Sequence, residues 1–156
     1  MVHLHTALIR WSVGDADFRG KRYSRAHTWS FDGGVVVPAS SSPHVVPLPM
    51  SDASAVDPEE AFVASLSSCH MLWFLDIASR AGYCVDAYDD VADGRIGRNA
   101  AGKLVVDLVT LRPRTRFAGA RVPDADTLAR LHHDAHEECF LANSVRTEIR
   151  CEPAFG

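Results

Sequence analysis

DPEEAFVASLSSCHMLWFLDIASRAGY, residues 57–83, reads as one helix from start signal to stop signal. Asp57 is placed to serve as N-cap, Pro58 falls at the first helical position, and Glu60 completes a capping box. Gly82 stands where a C-cap glycine belongs. Between them, Ala61, Phe62, Ala64, Leu66, Leu72, Trp73, Leu75, Ile77 and Ala78 make the segment apolar on most sides, with no charge before Asp76. A helix apolar nearly all round is expected inside a core. Ser67, Ser68 and His70 interrupt it, and its length falls short of a membrane span on this reading. At its centre stands Ser67-Ser68-Cys69-His70, a thiol beside an imidazole.

Working outward, the N-terminal side reads as antiparallel strands. Residues 2–13 are strand-like, residues 23–31 alternate between two faces, and Asp32-Gly33-Gly34 signals a hairpin before Val35–Val37. Residues 38–56 are rich in Pro and Ser and form a long irregular segment, a kind of loop often used as a cover or binding loop. On the C-terminal side, residues 84–90 and 91–97 are strand-like. Residues 104–117 give the clearest strand, with a bulge or edge at Pro113. Pro123-Asp124 opens a second helix running to about Glu138, and residues 145–151 alternate as a last strand. Strands grouped before and after a helix, rather than alternating with helices, specify α+β. One small sheet does not cover both faces of so apolar a helix, so a homodimer is expected.

With 156 residues, 47% hydrophobic and 23% charged, the chain has the size and composition of a single globular domain, 1–156. A net charge of -4 disfavours a nucleic-acid partner. No targeting or lipidation motif is legible, which makes a cytoplasmic location the expectation. The four cysteines, at 69, 84, 139 and 151, form no CxxC pair. In a reducing compartment such cysteines are free or catalytic more often than disulfide-bonded.

Cys69 is the leading candidate for chemistry. A buried cysteine often packs as a small hydrophobe, but a polar knot in an apolar helix requires a reason. A reactive thiolate there needs a cation, because burial alone raises a thiol's pKa. Arg25 and His27, on one face of an N-terminal strand, are the candidates. Glu59 complements the helix dipole or holds an Arg near the thiol, although ten residues of helix span about 15 Å. A second cluster runs from His132 to Cys139. His132 and His136 have metal-ligand spacing but lack the Glu of HExxH. They remain open as surface histidines, as ligands with Cys139, or as polar context for a second redox thiol. A wider ligand set would add Cys69 and His70. Cys84 and Cys151 have no supporting constellation and read as structural.

Asp57-Pro58-Glu59-Glu60, the run Ala64–Cys69, Gly82-Tyr83, Ala135-His136-x-x-Cys139 and Asn143-Ser144 together resemble the OsmC/Ohr family, the osmotically inducible and organic hydroperoxide resistance proteins, in a less characterised OsmC-like branch. The resemblance covers nearly the whole chain. It implies an α+β fold with two antiparallel sheet groups around a buried central helix, in an intertwined homodimer. It implies a thiol peroxidase acting on organic hydroperoxides, with Cys69 peroxidatic and Cys139 resolving through a disulfide. A small dithiol or lipoyl-protein would be the reductant, and no metal or organic cofactor is implied. Arg25, held by Glu59, would support the thiolate, with Arg22 the runner-up. The alternative is a metal- or ligand-binding stress protein without peroxidase turnover.

Overall fold

A computed structural model describes residues 2–156, which divide into two compact units meeting in sequence at Ala61 and Phe62. The first unit contains strands β1 (Ala7–Arg10), β2 (His27–Phe31) and β3 (Val36–Ala39), joined in one antiparallel sheet in that order. The β2–β3 hairpin turns where expected: Gly34 sits at φ 86° and its N–H donates to the Phe31 carbonyl at 3.0 Å. A positive φ favours glycine because it has no Cβ to clash. β1 is shorter than the strand expected over residues 2–13. Tyr23 and Arg25 precede β2 rather than belonging to it. The irregular segment after β3 is laced back to it. The Ser40 N–H donates to the Val56 carbonyl at 3.0 Å, and the buried Ser40 hydroxyl accepts from the Asp52 N–H at 3.0 Å.

The helix α1 (Pro58–Arg80) begins at a complete capping box. The Glu60 N–H donates to Asp57 Oδ1 at 2.8 Å, and the Asp57 N–H donates to Glu60 Oε2 at 3.1 Å. It ends in a Schellman turn, with Gly82 at φ 81° and the Tyr83 N–H reaching the Ala78 carbonyl at 3.0 Å.

The second unit holds β4 (Cys84–Asp90), β5 (Asp93–Arg98), β6 (Leu104–Leu111), β7 (Pro113–Ala118), α2 (Ala125–Glu138), a 3₁₀ turn (Ala142–Ser144), β8 (Glu148–Cys151) and β9 (Ala154–Phe155). Its strands form two sheets, β4-β7-β9 and β5-β6-β8. The pairs β4–β7 and β5–β6 are antiparallel, whereas β8 and β9 join their neighbours in parallel. The antiparallel pairing expected from the sequence holds for β1-β2-β3, β4–β7 and β5–β6, and β8 and β9 each add a parallel edge to it.

The run 104–117 is two strands in two sheets, not one bulged strand. The break has a visible cause. Asp90 Oδ1 takes the Arg112 N–H at 2.6 Å, Arg112 pairs with Asp93, and Pro113 has no N–H to continue the ladder.

Two apolar clusters flank one face of α1. Leu66 packs with Val109 and Leu111, while Phe74 and Ala78 pack with Leu128, Leu131 and Ala135 of α2. The buried stripe of α1 is Leu66, His70, Phe74 and Ala78, at a spacing of four. The rest of α1 is less covered than its composition suggests. Leu72 is 62% exposed, so within one chain the helix is buried on one stripe only. At 23 residues α1 is also long and apolar enough to cross a membrane, which corrects the expectation that it is too short. The core helix of a soluble fold passes the same test, and this stripe sits in two protein cores.

Candidate active site

Cys69 lies one residue before His70 of the buried stripe, so its side chain emerges at the edge of the packed face, half-buried. Cys139 caps the C-terminus of α2 and is buried. The turn that carries it is tied down by Asn143, whose side-chain amide donates to the carbonyls of Glu137 at 2.8 Å and Cys139 at 3.1 Å. The Ser144 hydroxyl donates to the Phe140 carbonyl at 2.6 Å, and the Ala142 N–H points at Cys139 Sγ at 3.5 Å. The Asn143-Ser144 pair thus acts as a backbone clamp for the second cysteine.

This packing makes the two thiols neighbours. Burial, and then the neighbouring Cys69, push the Cys139 thiol up to about 11, so Cys139 keeps its proton at neutral pH. Both are free thiols. Cys69 opens onto an apolar slot of about 450 Å³ walled by Ser65, Ser68, Leu72, Trp73, Phe140 and Leu141. Trp73 and Phe140 meet edge to face across it, with centroids 5.5 Å apart at 84°.

The first unit holds the other two candidates. The half-buried Arg25 stacks its guanidinium over the Tyr23 ring at 3.7 Å and donates to the carbonyls of Tyr23 at 2.5 Å and Lys21 at 3.2 Å. His27 is taken up by neighbours, its Nδ1 meeting the Arg25 carbonyl at 2.7 Å and its Nε2 accepting from Trp29 Nε1 at 2.9 Å. Glu59 is half-buried in the first turn of α1. Among the described residues no ion pair joins Arg25 to Glu59, and Arg22 is paired with Asp17 at 2.5 Å.

The metal-ligand set considered from the sequence, Cys69, His70, His132, His136 and Cys139, does not converge. Among the described residues the convergent group is His70, His132 and Cys151, whose ligand atoms all lie within 4.8 Å of one another. Cys151, read from sequence as merely structural, faces His70 Nε2 at 3.8 Å. No pattern at 151 signals this, because β8 and its parallel pairing with β6 bring the residue there. His70 Nε2 and His132 Nδ1 are 3.0 Å apart. The ring planes differ by 1° and the centroids are 5.3 Å apart, which is the N···N separation plus two ring radii. The rings therefore meet edge to edge in one plane, not face to face. Burial holds both imidazoles well below their usual range, so both are neutral at pH 7.

A free thiol at an apolar slot, backed by a second thiol on a clamped helix end, stands on an α+β frame. The chain belongs to the OsmC-like protein family, which residues 51–154 match. It shares 51% identity with an OsmC-like protein of unknown function from Vibrio cholerae, at a TM-score of 0.95, with 98% of this chain and 100% of the other covered. An organic hydroperoxide resistance protein from Elizabethkingia anophelis has the same fold at 16% identity and a TM-score of 0.73, with 100% and 99% covered. One from Bacillus subtilis aligns at 18% identity and a TM-score of 0.67, with 97% and 98% covered. No curated protein matches the chain.

Proposed function

We propose that this chain, acting as a single OsmC-like domain over residues 1–156, is a two-cysteine thiol peroxidase for organic hydroperoxides. The observation that carries the reading is that Cys69, open to an apolar slot, has Cys139 as its neighbour. The hydroperoxide resistance proteins that share the fold lend it support.

In the first step the Cys69 thiolate attacks the terminal oxygen of ROOH. The O–O bond breaks, ROH leaves after taking a proton, and Cys69 becomes a sulfenic acid. In the second step Cys139 sulfur attacks the Cys69 sulfur. Its proton goes to the departing hydroxyl as water, and a disulfide forms. A small dithiol or a lipoyl-protein then supplies two electrons and two protons to restore both thiols. Cys139 is protonated at neutral pH, so closure requires that proton to leave its sulfur as the S–S bond forms.

Arg25, oriented by Glu59, is assigned as the cation that stabilises the Cys69 thiolate, on the family resemblance. We assign the working form as a homodimer in the cytoplasm, with no membrane or nucleic-acid partner. The exposed Leu72 on an otherwise apolar helix favours a second chain as cover.

The test is the product of one equivalent of cumene hydroperoxide. An intramolecular Cys69–Cys139 disulfide supports the function. Intact thiols after prolonged exposure to excess peroxide reject it.

A further inference from the structure

We propose that His70, His132 and Cys151 form a binding site for one zinc ion, separate from the Cys69–Cys139 pair. The site lies where the two apolar clusters meet. His70 occupies the stripe position between Leu66 and Phe74, His132 comes from α2, and Cys151 ends β8. Three ligand atoms from three elements converge in a place otherwise filled by hydrocarbon.

Two imidazoles and a thiolate suit zinc, which takes N and S ligands in tetrahedral geometry. Zn–N bonds of about 2.05 Å and a Zn–S bond of about 2.3 Å place two nitrogens about 3.3 Å apart and nitrogen about 3.6 Å from sulfur. The observed separations are 3.0 Å for N···N and 3.8 Å from His70 Nε2 to Cys151 Sγ.

The edge-to-edge ring pair is the metal-free form of the site. There a hydrogen sits between His70 Nε2 and His132 Nδ1. The ion replaces it, lying off the N···N line toward Cys151, and both rings turn to meet it. Protons balance: the ring hydrogen moves to an outer nitrogen of the pair, and the Cys151 thiol loses one proton to solvent for each zinc bound. Among those outer nitrogens, His70 Nδ1 and His132 Nε2 have no partner in the metal-free chain.

The surroundings suit a cation. Asp90, held by the Ser67 hydroxyl at 2.5 Å and the Arg112 N–H at 2.6 Å, exerts its charge on both His70 and Cys151. Zinc with one thiolate leaves a net single positive charge, which Asp90 balances. A cavity of about 260 Å³ lined by Ala129, His132, His133, His136, Ile149 and Cys151 supplies both the entry path and room for a water as fourth ligand.

The experiment titrates the full-length, reduced chain with cobalt(II) as a spectroscopic stand-in, then displaces it with zinc. One equivalent is expected to raise a thiolate-to-cobalt charge-transfer band. Cys151→Ser and His132→Gln, each checked for folding by circular dichroism, lose the band, whereas Cys69→Ser/Cys139→Ser keeps it. On wild-type protein, zinc slows alkylation of Cys151, located by peptide mass, and leaves Cys69 reactive. This arm stands even where a variant fails to fold. No band and no protection at one equivalent overturn the site. A band that survives Cys151→Ser but vanishes in Cys69→Ser/Cys139→Ser overturns it too, because the ion then sits on the redox pair.

Discussion

Cys139, at the C-terminus of one helix, is a neighbour of Cys69 in the middle of another. The two sulfurs differ in setting. Cys69 faces a slot, while Cys139 is buried behind it with its proton held in place. On the proposed function, the open sulfur meets the oxidant and the covered one closes the disulfide.

Cys139→Ser therefore separates the two steps. The variant is expected to consume one equivalent of hydroperoxide as fast as wild type and then stop. Its Cys69 sulfenic acid is trapped by dimedone and seen by mass spectrometry. A variant that still forms an intramolecular disulfide through Cys84 or Cys151 would show that Cys139 is not the resolving thiol.

Asn143 positions that thiol through two amide hydrogen bonds to carbonyls. In Asn143→Ala the sulfenic acid forms at the wild-type rate but disulfide closure slows. Stability falls by about 1–2 kcal/mol for the lost hydrogen bonds. Stopped-flow fluorescence resolves the two phases. Equal slowing of both would contradict a role confined to the Cys139 turn.

Phe140 and Trp73 wall the slot. Phe140→Ala removes apolar contact that a bulky peroxide uses and hydrogen peroxide does not. kcat/KM for cumene hydroperoxide should drop about tenfold, equivalent to about 1.4 kcal/mol, with hydrogen peroxide nearly unchanged. Parallel losses for both peroxides would mean that the slot does not hold substrate.

Acid should loosen the fold through the histidine pair. Burial, its largest cause, lowers His70 to about 4 and His132 to about 3. In the unfolded chain each returns to about 6.5. His136 pushes His70 further down and Asp90 pulls it back. Below pH 6.5 the unfolded chain holds more protons than the folded one. The stability is thus complete above that value and is lost as pH falls toward 4. In chelator-treated protein the loss between pH 7 and pH 5 should be on the order of 2 kcal/mol for each histidine, and about 4 kcal/mol for the pair. Urea midpoints at the two values measure it, and an unchanged midpoint would mean that the pair is not buried neutral.

Asp57→Ala breaks the capping box at the head of α1 and should cost about 1 kcal/mol, read as a lowered Tm. Glu60→Gln keeps an acceptor for the Asp57 N–H and should cost less. A larger loss in Glu60→Gln than in Asp57→Ala would contradict the geometry.

Local signals were the legible ones. The box at Asp57 and Glu60, the stop at Gly82 and the Asp124 cap on α2 are short-range hydrogen-bond chemistry that a sequence displays directly. The Cys69–Cys139 pairing was legible only through the family pattern, since nothing local links two helices. What the sequence hid was long-range. The split at Arg112 depends on Asp90, whose contact with it closes across two strands. The parallel pairings of β8 and β9 depend on where the chain returns after α2. His70 and Cys151 carried no shared spacing, and only that return brings them together. The uncovered face of α1 shows why composition overstated its burial. Apolar residues on several sides state what a helix tolerates, whereas the number of layers packed on it sets what is covered.

The most direct measurement is a stopped-flow count of free thiols after mixing reduced protein with cumene hydroperoxide, for wild type and for Cys69→Ser. Wild type should lose two thiols per chain in one rapid phase, faster than with hydrogen peroxide, and Cys69→Ser should lose none. A wild-type chain whose Cys69 remains reduced under excess peroxide would contradict the account.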